Sequence, residues 1–180
     1  MKLFSMISLV ALAAVPAIAS AAPLQVDFET PWQYGEAVDN HYAASGVSFT
    51  NVLGVSNDSN FTYYTNAPSP IGVAMAQLDG VVNTSAFINV AAGLTGSLTF
   101  HFSTPSDVTG AVKAYSGENG TGTLLGTLNL KANATAYDVW TPVTFTFTGT
   151  AKSFDLTGSA NVVGIDNISA VPESGSALLA

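Results

Sequence analysis

The sequence predicts an all-β fold, a two-sheet antiparallel β-sandwich, on three observations. Apolar and hydroxyl-bearing residues alternate at a period of two, most cleanly through Val143-Thr144-Phe145-Thr146-Phe147-Thr148. Short runs rich in Val, Ile, Thr, Phe and Tyr are separated by Gly, Asn, Asp, Ser and Pro, the punctuation of strands and turns. No stretch of the mature region carries an apolar stripe at helical spacing.

Taken in order, the expected strands cover residues 24–29, 47–55, 71–78, 86–91, 98–103, 108–115, 123–130, 143–148, 153–157 and 162–169. In 143–148 the pattern puts Val143, Phe145 and Phe147 on a buried face and the threonines in water. Leu98, Phe100 and Phe102 repeat it against Thr99, His101 and Ser103. Residues 116–122, rich in Gly and Asn, tolerate positive φ and read as a hairpin loop. A phosphate cradle is the other reading of that loop, but no Lys-Ser/Thr pair follows it. Ile165 and Ile168 stand three apart, which breaks period two and predicts a bulge or corner at Asp166-Asn167. Residues 57–70 form the longest irregular stretch, and long loops in compact domains are often functional. A solenoid or propeller would need a fixed-period repeat, and none is found.

The ends of the chain address it outward. One basic residue, Lys2, precedes an apolar run through Val15, Pro16 breaks it, and Ala19-Ser20-Ala21 offers small residues to a signal peptidase. Residues 1–21 are therefore read as a secretory signal peptide, with a cut after Ala19 as the alternative, and residues 22–170 as one sandwich domain. A retained anchor is disfavoured, because the run falls short of the roughly 20 residues that cross a bilayer.

Losing Lys2 takes the net charge from -8 to -9 and leaves Lys113, Lys131 and Lys152 as the cations, with no arginine. Nucleic acid is thereby excluded as a partner, since phosphate backbones are bound by displacing counterions with Lys and Arg. Cysteine is absent, which rules out disulfides, thiolate zinc sites and a cysteine nucleophile.

Several segments occur in a telling order. They are Val26-Asp27-Phe28-Glu29, Tyr42-Ala43-Ala44-Ser45-Gly46-Val47-Ser48-Phe49, Leu98-Thr99-Phe100-His101-Phe102-Ser103-Thr104-Pro105 and Gly120-Thr121-Gly122-Thr123-Leu124-Leu125-Gly126. Trp140-Thr141-Pro142-Val143 follows, then Gly164-Ile165-Asp166-Asn167-Ile168 ahead of Val171-Pro172-Glu173. In these the chain resembles the exported domain of PEP-CTERM proteins. The resemblance implies a jelly-roll or galactose-binding-like sandwich, export, and a C-terminal tail read by a sorting enzyme linked to exopolysaccharide production. Ser174 stands where that family has its second proline, and the chain stops at Ala180. Residues 171–180 are accordingly read as a truncated or degenerate sorting tail, which leaves free secretion as the other destination.

Two groups of residues carry candidate chemistry. Asp27 and Glu29, two apart on an expected strand, would share a face, and Asp166 would meet them from the last strand. In calcium-stabilised carbohydrate-binding jelly rolls, acids of the first and last strands hold a structural ion. Glu29 and Asp166 would match them here, with Asp27, Asp39, Asn40 or backbone carbonyls completing the six to eight oxygens that Ca2+ prefers. The competing reading makes Asp166 and Asn167 turn caps and Asp27 and Glu29 ordinary exposed residues.

Aromatic rings beside amides and carboxylates suit carbohydrate, and Trp32 with Tyr34, then Phe61, Tyr63 and Tyr64, offer them; otherwise these rings seal the core. Trp140 reads as core or rim.

The histidines are His41 and His101, with His101 on the polar side of its strand; no Gly-x-Ser-x-Gly elbow or His-Glu-x-x-His occurs. Several Asn-x-Ser/Thr triplets, among them Asn57, Asn60 and Asn133, admit glycosylation. The expected function is that of an exported, non-enzymatic envelope or extracellular-matrix protein associating with extracellular polysaccharide. A structural matrix protein with no specific ligand is the alternative. A glycan-active hydrolase using Asp27 and Glu29 is a remote third.

Overall fold

The computed structural model describes residues 23–77 and 84–170. The expected signal peptide and sorting tail lie outside the described residues. Among the described residues the strands are β1 (Leu24–Val26), β2 (Val47–Thr50), β3 (Val52–Val55), β4 (Val73–Ala76), β5 (Phe87–Ser103), β6 (Val108–Tyr115), β7 (Leu124–Leu130), β8 (Thr141–Asp155) and β9 (Gly164–Ala170). Their helical companions are three single-turn 3-10 segments. The chain is an all-β, antiparallel jelly-roll sandwich.

Its two layers are not separate sheets. One hydrogen-bonded ladder runs β3-β4-β9-β5-β8-β6-β7, with β1 added to β9 and β2 added to β5. The ladder folds over because β5 and β8 belong to both layers. In one layer β2 pairs with Phe87–Val90 of β5, and the end of β8, Ser153–Asp155, lies between that segment and β6. In the other, β9 lies between β4 and the second half of β5, which pairs in turn with the start of β8. Register shifts between Asn89 and Leu94 and between Thr95 and Ser97 mark the crossing, where Gly93 and Gly96 take φ of 75° and 82°. Those glycines, with Gly149 in β8 at φ 81°, bend the strands without ending them.

Glycine at such a position reads in sequence as a terminator. The stretches 86–91 and 98–103, expected as separate strands, therefore fall on one strand, β5, and 143–148 and 153–157 fall on β8 as far as Asp155, with Thr157 in a 3-10 turn. Residues 47–55 divide instead, at Asn51, whose φ is 51°.

The alternation expected of residues 143–148 is present: Phe145 and Phe147 are buried while Thr144, Thr146 and Thr148 are exposed. Phe154, from the opposite layer, packs edge-on against both rings at 6.3 and 5.4 Å. A side chain at Gly126 of β7 would come within 3.1–3.3 Å of the same two phenylalanines. One apolar cluster thus fills the space between the layers, with Phe28, Leu98, Phe100 and Phe154 at its centre. The 116–122 hairpin joins β6 to β7 through Asn119, Gly120 and Gly122, all at positive φ. An extra residue on β9 between Asp166 and Ser169 forms the bulge expected from the spacing of Ile165 and Ile168, and Asn167 there has φ 49°.

Candidate functional site

The irregular segment between β3 and β4 is ordered by its own polar side chains. The Asn57 Oδ1 accepts from the backbone N–H of Tyr63 at 2.7 Å and of Tyr64 at 3.3 Å, while its Nδ2 donates to the Tyr64 carbonyl at 2.8 Å. The Asp58 Oδ1 accepts from Asn60 and Phe61 N–H at 2.6 and 2.9 Å, a local side-chain turn. These bonds place three aromatic residues in succession and turn them to different surroundings.

Tyr64 goes inward. It is 3% exposed, its hydroxyl donates to the Pro70 carbonyl, and its ring meets Trp140 edge-on at 6.1 Å. Burial, then the negative charges of Asp166 and Glu29, pushes its phenol up to about 12, so it stays neutral. Trp140 donates its indole N–H to the Thr65 carbonyl at 3.0 Å, and Tyr137 donates its hydroxyl to the Val162 carbonyl at 2.9 Å. With their polar tips bound to the protein, these rings are held in position by more than packing. Tyr137 reaches its place through a left-handed backbone, φ 52°.

Tyr34, Phe61 and Tyr63 face outward. Tyr34 is 89% exposed and Phe61 63%. Tyr34 stacks on Tyr63 with centroids 6.5 Å apart and planes 26° apart, and Phe61 follows Tyr63 at 5.9 Å and 32°. Residues from two loops thus make a strip of three rings. Tyr34 and Tyr63 border a cavity of about 440 Å³ that Tyr64, Tyr137 and Trp140 also line. Its floor includes Leu53, Val55 and Met75, and Gln33, Gln77 and Asp58 are among its polar groups. Among the described residues no lysine, arginine or histidine lines it.

Of the aromatic candidates, Tyr34, Tyr63 and Tyr64 meet at this groove, and Phe61 extends it. Trp32 does not present a face: it is 5% exposed, donates its indole N–H to the Phe28 carbonyl at 3.0 Å, and lies beneath Gly54. Trp140, expected at core or rim, stands at the groove. Tyr137 went unnoticed because it is a single ring in an alanine-rich connection, and nothing near it in sequence signals its positive φ.

The acidic candidates lie where the chain's first and last strands pair. β1 ends at Val26, and Phe28 takes φ 56°, so Asp27 and Glu29 do not share a strand face as the spacing predicted. The Asp27 Oδ1 accepts from Glu29 N–H at 3.2 Å and from the Tyr42 hydroxyl at 3.3 Å. Burial, then Asp27, raises the Tyr42 phenol. Glu29 Oε1 accepts from Ile71 N–H at 2.8 Å.

Asp166 has no exposed surface; its Oδ2 accepts from Ser69 N–H and its Oδ1 from Asn167 N–H, both at 2.7 Å. Burial pushes its carboxyl up to about 6 against the pull of those bonds, and the Glu29 charge adds to the rise. Glu29 and Asp166 thus hold residues two apart, Ile71 and Ser69, on the approach to β4.

Asp39 and Asn40 are exposed in the β1–β2 connection, where Asn40 lines a separate polar hollow with Asn89 and Asn119. Among the described residues no group of three or more His, Cys, Asp or Glu converges as a metal site. His101, expected on the polar side of its strand, is half-buried opposite Asp166, with its Nδ1 buried and without a hydrogen-bond partner among the described residues.

No protein-family model matches the chain, and no curated protein matches it. Solved structures do. The K1 cleaved adhesin domain of Lys-gingipain from Porphyromonas gingivalis W83 is 14% identical, at a TM-score of 0.50, over 82% of this chain and 96% of that one. A carbohydrate-binding module of Cellvibrio mixtus lichenase 5A, solved with cellotriose, is 10% identical over 84% of this chain and 96% of its own, at 0.43. The C-terminal family 6 carbohydrate-binding module of the laminarinase LamC from Zobellia galactanivorans is 14% identical over 82% and 98%, at 0.42. At these identities the likeness is one of fold.

Proposed function

We propose that the chain is an exported, non-enzymatic protein of the cell envelope or extracellular matrix that associates with polysaccharide through the groove between Tyr34 and Trp140. The carrying observation is the exposed strip Phe61-Tyr63-Tyr34 beside an aromatic-walled cavity. A folded protein keeps large rings in water at a cost, and a contiguous exposed group of them marks a binding surface. Pyranose C–H faces stack on such rings while amides and carboxylates take the hydroxyls, and Gln33, Gln77 and Asp58 supply the latter. The signal sequence at residues 1–21 supports export, and Val171-Pro172-Glu173 supports handling by a sorting enzyme.

The test is retention on polysaccharide gels and a glycan array, with Tyr63→Ala and Tyr34→Ala as variants. Each should lose about 10-fold in affinity, near 1.4 kcal/mol. Absence of binding to any glycan would leave a matrix protein with no specific ligand, and binding unaffected by both changes would overturn the groove as its site. Turnover abolished by changing Asp27 or Glu29 would revive the hydrolase.

Calcium belongs to the same proposal, with Glu29 and Asp166 as its carboxylate ligands. What supports it is two carboxylates that repel, Asp166 buried and Glu29 partly exposed, which hold Ser69 and Ile71, residues two apart in the chain. The ion would supply neutralisation there, while Glu29 and Asp166 continue to hold Ile71 and Ser69 through their backbone N–H groups.

A further inference from the structure

The chemistry of the groove narrows what it can take. Among the described residues, the titratable groups of its lining are phenols and the Asp58 carboxyl, and no cation lines it. The described cations are elsewhere: Lys113 lies in β6, Lys152 in β8, and Lys131 pairs with Asp107 at 2.6 Å. One oxygen of Asp58 is committed to the backbone N–H groups of Asn60 and Phe61, which pins the carboxylate at the mouth beside Tyr63. That charge cannot swing away without undoing the turn that presents Phe61. The three rings of the strip follow one another at 5.9 and 6.5 Å with planes within about 30° of their neighbours. This spacing is too close for a sugar to slot between two rings, because van der Waals contact on both faces needs roughly 7–8 Å. Sugars can instead lie across the rings, one after another.

On the reading of the groove as a glycan site, we propose that its ligand is an uncharged pyranose chain laid lengthwise over Phe61, Tyr63 and Tyr34, and that Asp58 makes it reject chains bearing carboxylates. Uronate or sulfate groups beside these rings would meet a fixed negative charge and no described cation; Asp58 is exposed, so the repulsion is greatest at low ionic strength and weakens with salt. Hydroxyl-bearing chains meet no such penalty, and the Gln33 and Gln77 amides can both donate to and accept from them. Asp58 is thus a specificity-determining residue, and the strip predicts affinity that grows with chain length until the rings are covered.

The experiment takes fragments of whichever neutral polysaccharide retains the protein, and the same fragments oxidised at their primary hydroxyls to uronates. Both sets are titrated at low ionic strength into the intact protein, Asp58→Asn, and Glu118→Gln as a control of equal charge change on the remote hairpin. The Asp58→Asn amide keeps the Oδ1 acceptor for Asn60 and Phe61. The protein should prefer neutral fragments at least tenfold, and neutral trisaccharides should outbind disaccharides. Asp58→Asn should narrow the preference at least threefold, whereas Glu118→Gln should not.

Oxidised fragments that bind as tightly as neutral ones would overturn the proposal, and so would a preference that Asp58→Asn leaves intact. Failure of every polysaccharide to be retained through Tyr34 and Tyr63 is a different result, which overturns the glycan reading itself.

Discussion

Asp166 accepts two backbone hydrogen bonds, has no exposed surface, and is still pushed up to about 6 by burial and by Glu29. In the unfolded chain an aspartate titrates near 3.9. Between the two values the native state holds a proton that the unfolded state has released, so this group's contribution to stability falls as pH rises from about 4 to about 6. Measured by urea unfolding in chelator, the stability of the protein relative to Asp166→Asn should decline over that window, by on the order of 3 kcal/mol at most. A difference that stays level from pH 4 to 7 would contradict the assignment.

Gly54 makes a second case at this scale. A side chain there would overlap the Trp32 indole, so Gly54→Ala should cost about 1–3 kcal/mol by overpacking and disturb the groove floor. Trp32 was recognisable in sequence as an aromatic of consequence. That it lies under the groove, not in it, follows from a contact between residues 22 positions apart.

At the scale of elements, the 57–70 segment is irregular in sequence and in structure, yet Asn57 gives it three hydrogen bonds. Asn57→Ala should release the Tyr63 and Tyr64 amides to exchange and weaken glycan binding, while the β5–β8 ladder keeps its protection. Exchange unchanged at Tyr63 would assign the ordering of this loop to packing alone.

The long strands behave differently. Gly93 sits at φ 75° where β5 bends, and an added methyl group would also crowd the Thr150 side chain. Gly93→Ala should cost about 1–3 kcal/mol without altering the groove, read by urea unfolding beside a binding titration. The period-two pattern identified one half of β5 and one of β8, and residue composition the other halves. Neither could join them, because a glycine that bends a strand and one that ends it look alike along the chain.

For the whole molecule the decisive pairing is β1 with β9, in the register Leu24 to Ala170 and Val26 to Ile168. It draws the two ends of the domain together, with Glu29 and Asp166 holding Ile71 and Ser69. Calcium at a hundred times its dissociation constant would then add about 2.7 kcal/mol, several degrees in Tm. Asp166→Ala should abolish the difference between calcium and chelator, and identical melting of the unaltered chain in both would count against the ion. The acidity that disfavours nucleic acid acts at this scale too, since a net charge of -8 repels polyanions from the whole surface. The contrast between Asp58→Asn and Glu118→Gln is what separates that general field from the local charge at the groove.

The sequence by itself determined the all-β class, most strand positions, the 116–122 hairpin and the bulge at Asp166-Asn167, because alternation and turn chemistry are properties of neighbours along the chain. It also marked Tyr34, Tyr63 and Tyr64 as aromatics held in polar surroundings. Only the tertiary structure decided that the two layers are one doubled ladder, that Trp32 is buried, and that Tyr137 and Trp140 complete the groove. Those outcomes depend on glycines and left-handed residues that redirect the backbone, and on contacts between segments as far apart as Thr65 and Trp140. Such contacts exist once the ladder has closed and leave no periodic trace in the order of residues.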